Sequence, residues 1–150
     1  ARILGIELHT LDKLLNRSDF VSLHIPLSSD TKHFIGRPQL ALMKQNSYII
    51  NVARGELIDE DALLEAIDSG KLAGAALDVF SKEPPGMTSI VNHPKVIVTP
   101  HLGASTQEAQ IEGAIEVAEE VISVLNKQPA RNIVTCLSLH LKCMRLLARF

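Results

Sequence analysis

Four short runs, FVSLHI at Phe20–Ile25, YIINVA at Tyr48–Ala53, LAGAALDVF at Leu72–Phe80 and VIVT at Val96–Thr99, are apolar through most of their length. Runs that short and that apolar describe β-strands covered on both faces, as in a parallel sheet. Helical patterns lie between and around them. Thr10 precedes Leu11–Arg17, which sets Leu11, Leu14 and Leu15 on one face. Pro38 opens Pro38–Lys44 in the first helical turn, where its missing N–H costs nothing. Asp59 caps Glu60–Ser69, whose Leu63, Leu64 and Ile67 form an apolar stripe, and Gly70 closes it. Ser105 with Glu108 three residues on reads as a capping box for a helix from Thr106 to about Asn126. Its Ile111, Ile115, Ala118, Ile122 and Leu125 are expected to face inward, while Glu108, Glu112, Glu116 and Glu120 form a solvated face. Strands alternating with helices demand right-handed crossovers and a parallel sheet. The expectation is an α/β layered fold.

Aromatic residues are scarce, one Tyr and four Phe without Trp, so the core must be built from Leu, Ile, Val and Ala. A net charge of −2 gives no ground for a nucleic-acid partner. No apolar run approaches the roughly 20 residues of a membrane span, and no signal peptide is recognisable. Cys136 and Cys143 match neither a disulfide framework nor a zinc spacing, which fits a reducing, cytoplasmic setting. No arrangement of His, Cys and carboxylates has metal-ligand spacing. The chain begins at Ala1, as expected of a processed chain or one lacking its start.

In a parallel sheet the carboxyl ends of all strands share one edge, where open α/β folds bind ligands. His24 and Pro26 follow the first run, Ala53, Arg54 and Gly55 close the second, Asp78 lies near the end of the third with Glu83 beyond, and His101 follows the fourth. An arginine can grip a carboxylate through two parallel hydrogen bonds. A histidine can pass a proton near neutrality, and a glutamate beside it fixes its tautomer and stabilises its charged form. Each residue also has a plainer reading. Arg54 can serve as a solvated turn residue, His101 can close a turn after Pro100, and Glu83 before Pro84–Pro85 reads first as a loop charge. Asp78 inside an apolar run is costly unless paired, so it calls for a specific partner. His24, His33, His93 and His140 read as structural or exposed.

The motifs Asn51–Gly55 (NVARG), Ala76–Phe80 (ALDVF) with Glu83–Pro84, and Thr99–Thr106 (TPHLGAST) resemble those of the NAD-dependent D-isomer-specific 2-hydroxyacid dehydrogenases. Leu23–Leu27 (LHIPL) and Thr31 fit the same family, and the resemblance runs from about Gly5 to Val134. It implies hydride transfer between NAD and C2 of a small 2-hydroxy or 2-keto acid. His101 is then the acid/base, Glu83 its carboxylate partner and Arg54 the group that binds the substrate carboxylate and keto oxygen. Asp78 matches the residue bonded to the nicotinamide carboxamide, and His24, Pro26, Ala53 and Gly103 match cofactor-lining positions. A homo-oligomer is implied for the complete protein, with no membrane partner.

The pattern is also incomplete. The eight glycines contain no GxGxxG spacing, so the chain resembles a partial Rossmann-like sheet with helices on both faces, lacking the first βαβ with its glycine-rich turn. Without that phosphate-binding helix N-terminus, these residues alone are expected to hold NAD weakly. Residues 1–134 read as the C-terminal part of an NAD-binding domain. Residues 135–150, with Lys142, Arg145 and Arg149 and no acidic residue, read as a basic, apolar tail. A non-catalytic NAD-sensing or relict binding module is the alternative to an enzyme.

Overall fold

The computed structural model describes residues 6–103 and 105–129. The basic tail at 135–150 lies outside them. The described residues form two units, one ending at Gly103 and one beginning after it.

The first unit holds three helices, α1 (Leu11–Arg17), α2 (Arg37–Leu42) and α3 (Glu60–Asp68), and four strands, β1 (Phe20–Leu23), β2 (Ser47–Asn51), β3 (Leu72–Leu77) and β4 (Val96–Val98). The strands pair in the order β1-β2-β3-β4, all parallel. Leu23 sits beside Asn51, Asn51 beside Leu77, and Leu77 beside Val98, so all four strands stop in line. The α/β class and the parallel sheet are as the sequence indicates. Strand ends are not. The first three stop two or three residues earlier than their apolar runs suggest, because His24–Ile25, Val52–Ala53 and Asp78–Phe80 leave the ladder together.

Helices α1, α2 and α3 pack in sequence as one layer, with α3 on β3. Their apolar faces and one face of the sheet share an aliphatic core in which Leu15, Ile35, Ile49, Leu57, Leu63 and Ile67 are fully buried. On the opposite face the register places Phe20 beside Tyr48, and their exposed rings stack at 5.2 Å. Capping follows the sequence at α3, where the Asp59 carboxylate accepts the Ala62 N–H at 3.1 Å and Gly70 follows with φ 72°. Thr10 holds the cap position of α1 without a side-chain bond. At α2 the Gln39 amide oxygen accepts the Gly36 N–H.

The second unit, over its described residues, is α4 (Gln107–Leu125) with its flanks. Its cap is Thr106 rather than Ser105, since the Thr106 hydroxyl reaches the Ala109 N–H at 3.1 Å. The expected inward stripe is exposed instead: Ile111 is 61% accessible, and Ile115, Ile122 and Leu125 are similarly open. Helical spacing places such residues on one face, but no other described element of that unit is there to cover it. Among the described residues no helix is long and apolar enough to cross a membrane.

Candidate active site

The aligned strand ends set the first residues beyond them side by side. Asp78 follows β3 directly and is 5% exposed. Its N–H donates to the Asn51 carbonyl at 3.0 Å, and its own carbonyl accepts the His101 N–H at 2.9 Å. The carboxylate accepts the Leu102 and Gly103 N–H groups at 2.8 Å each, and the Thr99 hydroxyl. These are the partners that a buried aspartate in an apolar run requires. They hold residues 99–103 as a fixed loop, with His101 at φ 55°, a left-handed conformation uncommon outside glycine.

Burial by itself raises the Asp78 pKa, but the bonds from Thr99, Leu102 and Gly103, with His101 nearby, outweigh it and hold the carboxyl below 3.8. A carboxyl depressed in the folded state stabilises that state above its unfolded pKa and loses the effect as pH falls through the folded one. Thermal unfolding of wild type and Asp78→Asn should therefore differ most above about pH 4. Below it the gap should close. A gap independent of pH would remove the carboxylate from this account.

His101 turns its Nδ1 to the Glu83 carboxylate at 2.7 Å. The acceptor there assigns the proton to Nδ1 and leaves Nε2 as the free ring nitrogen on a half-exposed side chain. Glu83 also accepts the Phe80 N–H at 3.1 Å. The bonds from His101 and then from Phe80 lower its pKa, so it stands ready as an anion. From the start of α3, its first residue grips the same loop: Glu60 accepts the Ser81 N–H and hydroxyl at 2.6 and 2.7 Å.

Arg54 is carried on the turn after β2. Asn51, 1% exposed, accepts the Ala53 N–H at 3.1 Å and donates to the Arg54 carbonyl at 2.9 Å. Gly55 then opens a 3-10 turn, Gly55–Leu57, pressed so closely on the next loop that a Cβ would lie 1.9 Å from the Phe80 carbonyl carbon. Beyond it, the Leu57 carbonyl accepts the Ile35 N–H and the Ile35 carbonyl accepts the Asp59 N–H, each at 3.0 Å. Among the described residues the Arg54 guanidinium donates only to the Ala53 carbonyl, at 2.6 Å, and makes no hydrogen bond with His101 or Glu83.

Of the eight residues singled out from sequence, the structure joins His101 to Glu83 through their side chains and to Asp78 through the backbone. Gly103 bonds to Asp78, and a Cβ there would sit 3.9 Å from the Val52 carbonyl, which sets the His101 loop against the end of β2. His24, Pro26, Ala53 and Arg54, with Ile25 and Leu27, line one cleft of about 430 Å³. A larger depression of about 580 Å³ is lined by residues between Ile6 and Arg17 and includes none of the strand-end residues. Asn51, Thr99 and Glu60 are the positioning groups that sequence reasoning missed. A polar residue inside an apolar run was the available signal for Asn51. Among the described residues no cluster of His, Cys and carboxylates could hold a metal ion.

Comparison with known proteins identifies the family. The family model described as D-isomer specific 2-hydroxyacid dehydrogenase, NAD binding domain, matches residues 1–103. A D-3-phosphoglycerate dehydrogenase from Methanocaldococcus jannaschii is 50% identical over 135 residues, covering 89% of this chain and 26% of that protein. The chain thus spans about a quarter of the length of the curated relatives it matches. The crystal structure of apo D-mandelate dehydrogenase from Rhodotorula graminis superposes with a TM-score of 0.83 at 34% identity, over 90% of this chain and 40% of that one. A glyoxylate reductase from Paecilomyes thermophila gives a TM-score of 0.73 at 42% identity, over 77% of this chain and 35% of that one. The chain belongs to the D-isomer-specific 2-hydroxyacid dehydrogenases, as a stretch of their NAD-binding domain.

Proposed function

We propose that this chain supplies the acid/base centre and the nicotinamide side of an NAD-dependent dehydrogenase that interconverts a 2-hydroxy acid and its 2-keto acid. The observation that carries this is the His101–Glu83 pair, set with its free Nε2 at the carboxyl edge of a parallel sheet. The apolar walls of the cleft, Ile25, Leu27 and Ala53, would suit the nicotinamide ring, and Arg54 at its border would meet the substrate carboxylate. When bound, NAD supplies or accepts the hydride at C2. The residues of this chain move the proton and orient the acid. In oxidation, His101 Nε2 takes the proton from the C2 hydroxyl while the C2–H bond breaks and its electron pair leaves with the hydride. Glu83 stabilises the resulting imidazolium, and in reduction the proton returns from Nε2 to the keto oxygen. Arg54 holds the substrate carboxylate. Asp78 has three of its roughly four acceptor positions filled, leaving one for the carboxamide.

The substrate we favour is 3-phosphoglycerate, for serine biosynthesis, because the relatives at 40–52% identity are named as D-3-phosphoglycerate dehydrogenases. The likeness to a glyoxylate reductase supports a second substrate reading, glyoxylate or hydroxypyruvate. As in other enzymes of this kind, we expect a homo-oligomer. The test is turnover by the full-length native protein, followed as NADH formed with 3-phosphoglycerate or consumed with the two keto acids. Turnover of 3-phosphoglycerate alone supports the first reading and preference for the keto acids the second. NAD binding with no turnover of any of them would make this a sensing module.

Arg54→Lys should raise KM for the acid far more than it lowers kcat, because an ammonium cannot reproduce the two-pronged grip. Steady-state kinetics with both substrates varied checks this. An unchanged KM would take substrate binding away from Arg54.

A further inference from the structure

We infer that Asn51 is a positioning residue for Arg54: its buried amide fixes the peptide groups on either side of the one against which the guanidinium lies. The inference rests on the reading of Arg54 as the carboxylate-binding group.

Asn51 is the last residue of β2, and its side chain is buried in a strand otherwise made of apolar and small residues. A buried amide costs free energy unless its polar atoms are paired, so an aliphatic residue would serve packing better. Both of its functions are spent on the next three residues. Oδ1 accepts the Ala53 N–H at 3.1 Å, and Nδ2 donates to the Arg54 carbonyl at 2.9 Å. The Arg54 side chain leans back on the Ala53 carbonyl at 2.6 Å, which belongs to the peptide group between the two that Asn51 holds, so its direction follows from theirs. The main-chain carbonyl of Asn51 accepts the Asp78 N–H, and Asp78 holds the His101 loop. One residue thus ties the substrate-binding turn to the loop of the acid/base. Exposed as it is, the guanidinium has no hydrogen bond to any other side chain among the described residues to aim it.

Asn51→Asp tests this in the full-length native protein. The shape and the acceptor for Ala53 are kept, but the donor is lost and a carboxylate oxygen faces the Arg54 carbonyl. Near neutral pH, KM for the acid substrate should rise about tenfold, the effect of losing one hydrogen bond, with kcat little changed. At lower pH the buried carboxyl takes up a proton and can donate to Arg54 again, so the ratio of variant to wild-type KM should fall towards one. A residue that served only the stability of β2 would not give that recovery. Asn51→Ala, which removes both tethers without burying a charge, should raise KM with no recovery. An Asn51→Asp protein with wild-type KM overturns the inference. So does one losing kcat and KM performance together at every pH, and so does an unchanged KM in Asn51→Ala should the aspartate variant not fold. Wild-type protein that turns over no 2-hydroxy or 2-keto acid would instead overturn the functional reading, and this inference with it.

Discussion

In the full-length native protein, His101→Asn should lower kcat by about 10²–10⁴-fold while leaving cofactor affinity nearly unchanged. An asparagine amide keeps a polar group at the end of a short side chain but cannot take up the proton of the substrate hydroxyl. That loss corresponds to about 3–5 kcal/mol of barrier. The loop itself should persist, because its fold depends on the main-chain bonds to Asp78 and on Thr99, not on the imidazole. Steady-state kinetics and a separate titration of NADH distinguish the two effects. Loss of cofactor affinity in step with kcat would make His101 part of the cofactor cleft rather than the acid/base.

Gly55→Ala should be among the most disruptive single-methyl additions to the first unit. The new Cβ would meet the Phe80 carbonyl carbon at 1.9 Å, its oxygen at 2.2 Å and the Ser81 nitrogen at 2.4 Å. All three are main-chain atoms, so no rotamer change can relieve the overlap. Either the turn after Arg54 or the loop leading to Glu83 must move. Overpacking of this kind costs about 1–3 kcal/mol, and a clash with backbone belongs at the upper end, roughly 10–20 °C in Tm for a unit of this size. Activity should fall more than stability, since the movement separates the Arg54 turn from the loop that carries the partner of His101. Thermal unfolding of the purified variant decides it. A variant within about 2 °C of wild type would show that the loops can part without cost.

The sheet and its helix order were legible because apolar run and helical stripe alternate along the whole first unit. The strand ends were not, and the reason is particular. Val52, Ala53, Val79 and Phe80 continue the β-like composition after the ladder has stopped, so composition cannot show where pairing ends. Asp78 was read correctly as needing a partner, but the same reasoning applied to Asn51 in YIINVA and would have found the tether to Arg54. Thr99 and Glu60 carried no such signal, since a threonine at a strand end and a glutamate in a first helical turn are ordinary there. The helix α4 shows the opposite limit. Periodicity states which of its residues share a face, and says nothing about what lies against that face.

The strand order has a consequence for how the sheet can be made. Each strand pairs with the one that precedes it in the chain, Phe20 with Tyr48, Ile49 with Ala75 and Ala75 with Val96. Every closure therefore spans only roughly 20–30 residues, and the entropy of closing such loops is similar from one to the next. If pairing follows synthesis, each later one of these four strands would meet an edge that is already formed, and the groups of the site would mature in the same order: the Arg54 turn, then the Asp78 anchor, then the His101 loop.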